Sequence, residues 1–178
     1  IGNGSDLVIG SDLNVNAINT SKQRADVTGL NGGIIAAGFN ESEAKTDSDV
    51  QAYVGNDVGI SGGNVEITAD SENDNYADSV SGSGGVVSGS ASEAKSLMSS
   101  ITRAYIGDEK AGKEIAVDSL VINAEHLSKF NAKVDSTNAS LVGASGATAS
   151  NISDSTVEAN LGMDLDVKAD HVDVDAFN

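Results

Sequence analysis

The chain has 178 residues, a net charge of −17, a sequence pI near 4.1 and no cysteine. That acidity excludes binding to nucleic acid or anionic membrane by electrostatics, and the absent thiols exclude disulfides, thiolate metal sites and cysteine nucleophiles. Aromatic content of 3% is too low for an ordinary globular core, and no apolar run is long enough to span a bilayer.

In chain order, the first eleven residues read as the end of a unit: Ile1-Gly2 matches Val54-Gly55, and Leu7-Val-Ile9 is a short alternating strand. Residues 13–29 then alternate with period two, as a strand does. Leu13, Val15, Ala17, Asn19, Ser21, Gln23, Ala25, Val27 and Gly29 are uncharged, while Lys22, Arg24 and Asp26 fall between them. Leu30-Asn31-Gly32-Gly33 is a turn. From Ile34 to Val54 a second long strand alternates in the opposite parity, with Glu41, Glu43, Lys45, Asp47 and Asp49 in its outer frame. A short third strand, Val58-Gly-Ile60, closes the unit.

The same elements then recur. Residues 13–55 repeat almost without a gap as 65–107 and again as 120–162. The turn returns at Gly82-Ser83-Gly84-Gly85, and the short strand returns as Ile115-Ala-Val117 and Leu165-Asp-Val167. Length varies only in the segments Gly55–Val65, Gly107–Leu120 and Gly162–Val172. The units run approximately 1–53, 54–105, 106–160 and a partial 161–178, within one uncapped domain covering 1–178. Repeats near 50 residues indicate a solenoid.

The uncharged frames contain 60 positions across the three copies. A chain that is 21% charged would place about a dozen charges there by chance. Burying an unpaired charge is costly, so these frames form the interior. Their residues are mostly Ala, Ser, Gly, Thr and Asn, which predicts two facing sheets closer than the usual ≈ 10 Å. Larger apolar residues cluster at the ends: Leu13, Val15, Ile34, Val50 and Val54. The expected fold is all-β: a parallel β-solenoid with one 52–55-residue repeat per coil, two long strands and one short strand. Equivalent residues should stack in register, with Tyr53 over Tyr105 and Ala17 in line with Ala69 and Ala124. Inner polar columns such as Asn19/Ser71 and Ser48/Ser100/Ser155 should form hydrogen-bonded ladders.

Motifs for chemistry are sparse. Gly107-Asp-Glu-Lys-Ala-Gly112-Lys113-Glu114 approaches a phosphate-binding loop, but Glu114 stands where a hydroxyl is needed and a strand follows in place of a helix. His126 sits in the inner frame and His171 at a unit start, and neither has a recurrent Ser or Asp partner for a hydrolytic triad. No catalytic residue or bound cofactor is expected. Calcium is the one candidate metal, with Glu41 and Glu93 in one outer column and Asp57 and Asp108 in the variable loops. Asn40 and Asn151 lie in glycosylation triplets, but in the inner frame. A charged outer frame argues against an ice-binding face.

The Ala-Tyr-Ile-Gly-Asp turn at 104–108, the Gly-Gly-Asn-Val-Glu-Ile-Thr-Ala strand start at 62–69 and the small-residue run at 83–90 resemble the repeat regions of filamentous-haemagglutinin-like and leukotoxin-like bacterial exoproteins. The resemblance covers the whole chain. It implies a β-solenoid, export by two-partner secretion or a similar route, and an adhesive role at the cell surface or in the medium. Neither that family's amino-terminal secretion domain nor an effector domain is visible. The sequence has no signal peptide, lacks an initiator Met and begins mid-unit, so it reads as a piece of something longer.

The sequence-level expectation is therefore a structural or adhesive segment of a large secreted bacterial β-solenoid, forming a stalk or extracellular fibre. Its partners would be further coils, copies of itself end to end, or a host-cell or matrix surface. A self-assembling filament subunit is the main alternative, and a β-helical polysaccharide-cleaving enzyme a more remote one.

Overall fold

The computed structural model describes residues 1–178 as six strands with no helix. They are β1 (Asp6–Val8), β2 (Asp12–Val54), β3 (Gly59–Ser61), β4 (Asn64–Ile106), β5 (Glu114–Leu161) and β6 (Asp166–Phe177). Every strand pairing is parallel, and each joins equivalent residues of successive repeats. β2 pairs with β4 from Asp12↔Asn64 to Val54↔Ile106, and β4 with β5 from Asn64↔Ser119 to Ile106↔Leu161. The architecture is a parallel β-solenoid with one repeat per coil. The Tyr53 and Tyr105 rings stack 5.4 Å apart at 11°, and Ala17, Ala69 and Ala124 form one column.

The gapless stretch repeats because each backbone amide needs a carbonyl at the same level of the next coil. An inserted residue within it would flip every later side chain to the other face. Of the 109 backbone hydrogen bonds, 98 lie in the ladders, and the remaining 11 also cross between coils. The third side differs in detail from expectation. It is a separate strand in the first two coils, as β1 and β3, but runs unbroken into the long strand at the starts of β5 and β6.

Each long strand folds back on itself without leaving the ladder. Pairing skips a single position, Ile34/Val86/Leu141, which marks the apex of the bend. A Cβ on Gly85 would stand 2.1 Å from the Gly33 carbonyl oxygen, so the close approach of successive bends requires glycine there. The bend brings the two halves of the unit face to face. Ser79 Oγ donates to Asn40 O at 3.1 Å, Ser90 Oγ to Thr137 O at 3.0 Å and Ser92 Oγ to Asp135 O at 2.9 Å. A serine reaches only about 2.4 Å beyond its Cα, so the two leaves lie well inside the usual ≈ 10 Å sheet separation.

The interior has three zones along the slab. Beside the short strands, fifteen buried residues form an aliphatic cluster that includes Val54, Ile60, Ile67, Ile106, Leu120 and Ile122. In the middle, Ala44, Ala77 and Ala94 pack among buried hydroxyls and amides. Asn73 and Asn75 are fully buried and tie the leaves together: Asn73 Nδ2 donates to Ser100 Oγ at 2.6 Å, and Asn75 Nδ2 to Leu97 O at 2.8 Å. At the bend the interior ends. Ile34, assigned from its parity to the inner frame, is 78% exposed because no opposite leaf exists at the apex.

Burial follows the frames in the middle coil, where Ser88, Ser90, Ala94 and Ser100 are all buried. The frames are not buried in every copy. The inner positions of β2's first half are half-buried, and those of β5 from Leu141 to Ser153 are exposed, because nothing covers those coils from above or below. Charge inside the middle coil should therefore be costly. Ala94→Glu is expected to destabilise the chain by about 3 kcal/mol or more, and Glu93→Ala to stay within about 0.5 kcal/mol. Chemical denaturation followed by circular dichroism compares the two; equal costs would contradict the frame assignment.

Candidate functional site

The most extensive unsatisfied feature is a pair of open sheet edges. β1 and β2 have a partner on one side only. On the opposite end, β6 covers β5 from Glu114 to Glu125 and leaves residues 126–161 unpaired. Both edges present rows of backbone donors and acceptors spaced for a further parallel strand. The columns that meet them carry small or apolar inner residues, so an added coil of the same sequence pattern would continue the interior as well as the ladder.

The corner after the second long strand is held by a side-chain ladder. Asn3 Oδ1 accepts from Asn56 N, Asn56 Oδ1 from Asp108 N, and Asp108 Oδ1 from Met163 N, each at 2.9 Å. Each acceptor reaches one coil along and satisfies an amide that the turn leaves without a strand partner. Asp108 is thus engaged in a backbone contact. So is Asp57, whose Oδ1 accepts from Lys110 N at 2.7 Å and whose backbone takes a positive φ of 55°.

The other two calcium candidates share a lysine. Lys95 Nζ lies 2.8 Å from Glu41 and 3.0 Å from Glu93. Hydrogen bonds that Lys95 donates to Glu41 first, then to Glu93, raise its pKa above the usual value. The four candidates therefore divide between a cross-coil ion pair and a corner, and no group of three or more His, Cys, Asp or Glu converges to hold a metal. Most of the remaining ion pairs also cross coils. They include Arg103–Glu158 at 2.6 Å, Lys129–Glu72 at 2.6 Å and Lys168–Glu114 at 2.8 Å. Lys129 pairs diagonally with Glu72 in preference to Asp74, its in-register neighbour. Arg24 lies over the Tyr76 ring, 4.5 Å from its centre, and ties the first coil to the second.

The phosphate-loop-like segment is occupied by its own structure. Lys113 Nζ reaches across the middle coil to Gly4 O at 2.8 Å and Asp6 Oδ1 at 2.9 Å. Lys110 N and Ala111 N are taken by Asp57 Oδ1 and Glu109 Oε1. His126 is buried, hydrogen-bonded to Ser128 Oγ at 2.8 Å and 3.5 Å from Thr102 Oγ1, with no carboxylate partner. His171 is exposed on β6, in register with Ser119. Of the glycosylation triplets, Asn40 donates to Val80 O at 2.5 Å inside the slab, while Asn151 is exposed on the uncovered coil.

The predicted polar columns exist: Asn19 Nδ2 donates to Ser71 Oγ at 3.3 Å, and Ser48 Oγ to Ser100 Oγ at 3.1 Å. Ser155, the third member of the second column, turns to Asn178. Sequence reasoning missed the corner ladder. The signal is present as Asn3, Asn56 and Asp108 at one repeat position, of which Asp108 alone is among the calcium candidates. Comparison of the chain with known protein families, characterised proteins and solved structures finds no match.

Two measurements check these contacts. Asn56→Ala removes an acceptor from the corner and should cost about 1 kcal/mol in urea unfolding. Asp108→Asn keeps the acceptor oxygen and should stay within about 0.5 kcal/mol. Burial lowers the His126 pKa below its ordinary 6.5. Below that pH the unfolded chain binds a proton that the folded chain refuses, so stability falls as pH drops through this window. Replacing His126 with Asn, the residue of the same column in the first copy, should remove that part of the pH dependence between about pH 7 and 5. Thermal melts across this range test it; identical slopes for both proteins would contradict the assignment.

Proposed function

We propose that this chain is a structural segment of a large secreted or cell-surface bacterial β-solenoid, working as a rigid stalk or extracellular fibre that presents adhesive surfaces. One observation carries the reading: the hydrogen-bond ladder runs in register through all coils and leaves the outer strands on both sides with unpaired edges. Solenoids need their open ends met by a cap or by more coils. The resemblance to filamentous-haemagglutinin-like repeats points the same way, as does a −17 surface that resists aggregation.

A second reading is favoured by the same edges: a subunit that stacks end to end with its own copies. The enzymatic reading is weaker. A polysaccharide-cleaving groove needs acids or bases that break the repeat, whereas Glu41, Glu72, Glu114 and Glu158 pair with Lys or Arg of neighbouring coils.

Native size measurement and electron microscopy of the purified 178-residue chain test the proposal, together with the sequence of the gene on either side. Many further repeats in the gene support a stalk. Open-ended fibres from the isolated chain, with no further repeats, support the subunit. A compact monomer at all concentrations, from a gene without further repeats, would sink both.

A further inference from the structure

The bend of the slab is the one part of the surface without charge. Residues 27–40, 79–92 and 136–153 contain no Asp, Glu, Lys or Arg in a chain with 37 such residues. It is also where large apolar side chains stand in solvent: Leu30, Ile35 and Leu141 are each at least 80% exposed. Elsewhere the acidic faces of two copies repel each other. At the bend they do not, and apolar area is available to bury.

The outer face beside the bend has a graded shape. Phe39, Ala91 and Gly146 occupy one column, one residue in each coil, so the surface descends from a protruding ring to a bare backbone across two coil spacings. Phe39 is 63% exposed. A shallow groove runs beside it, lined by Ala37, Gly89, Ala91, Ala144 and Gly146. Its floor is made of the smallest residues available, and a Cβ placed on Gly146 meets open space.

We propose that this face is a dimer interface between two copies of the chain, packed with their stacks inverted. A two-fold axis parallel to the strands places Phe39 of each copy over Gly146 of the other, with Ala91 on Ala91 at the axis. A surface that rises at one end and sinks by the same amount at the other is complementary to itself under this operation, as a two-fold interface must be. The same operation sets Ile35 against Val142 and Glu41 against the uncharged Thr148. Packing with the stacks aligned, about an axis along the stack, would instead set Phe39 against Phe39 and Gly146 against Gly146, protrusion on protrusion and hollow on hollow. In the inverted packing Glu93 meets its own copy near the axis, but carries Lys95 at 3.0 Å. The contact is lateral and independent of the open edges, so it adds to a stalk or fibre and does not need one.

Sedimentation equilibrium of the full 178-residue chain tests this. The expected species is a dimer of twice the 17.9 kDa monomer mass that does not grow further by this contact. Gly146→Phe fills the groove with a second ring and should weaken dimerisation about tenfold or more. Phe39→Gly alone should weaken it as well. The double variant Phe39→Gly/Gly146→Phe moves the protrusion to the other end and should restore it, while unchanged circular dichroism shows that each variant folds. A wild-type chain that stays monomeric, a dimer indifferent to Gly146→Phe, or a double variant no better than the single ones would each overturn the proposal. Open-ended assembly that persists unchanged in Gly146→Phe would assign association to the edges and overturn it too.

Discussion

The in-register parallel ladder is the constraint on which everything else depends. Once each backbone group must pair with its equivalent one repeat away, side chains no longer choose their neighbours individually. They stand in columns about 4.8 Å apart, and a residue is acceptable only if it tolerates its own counterpart at that distance. Alanine, serine and glycine do so inside. Asparagine and serine also do so, because donors and acceptors alternate up the column, as in Asn19 to Ser71 and Ser48 to Ser100. Outside, like charges in one column would repel. The Glu41/Glu93 column is held by Lys95 placed two residues along, so the repeat tolerates a like pair by supplying a shared cation beside it.

The same constraint explains the division of labour across the slab. Where the third side holds the leaves apart, Ile and Leu fit and the hydrophobic effect supplies most of the stability. Toward the middle, the leaves converge until a serine spans the gap, and bulk gives way to hydrogen bonds. Each such bond contributes about 1 kcal/mol net, less than a buried isoleucine. Leaving its partner unsatisfied costs more than the bond contributes. The middle zone therefore specifies alignment of the leaves more than it adds stability, and Asn73 and Asn75 are its pins.

Coil count, register, strand parity and the interior frame were all legible in the sequence, because each is a consequence of period and charge that needs no knowledge of distance. Ile34 was misplaced for a definite reason. Parity counts positions along a strand and cannot see that the opposite leaf has ended. The exposed inner frame of β5 was missed likewise, since a repeat pattern carries no information on which coil is uncovered. Asp57 and Asp108 were read as possible metal ligands because carboxylates in a Gly-rich loop suit either role. Only the geometry, with amides 2.7 and 2.9 Å away, reveals the backbone contact. Thinness was inferred from side-chain size, but its agents, serines reaching the facing backbone, needed the pairing of positions across the bend.

The spacing of 52–55 residues between bonded partners has a kinetic meaning. The strand ladders hold nothing within a coil, so a chain containing one repeat has no ladder with which to organise itself. Order must begin when a second repeat lies against the first, after a loop of some fifty residues has been closed at an entropic cost. Every later repeat then meets a finished template and adds at lower cost. Folding of such a chain is slow to start and directional once started. If it crosses a membrane unfolded and emerges end first, each coil completed on the far side hinders sliding back, and conformational free energy becomes a source of net transport.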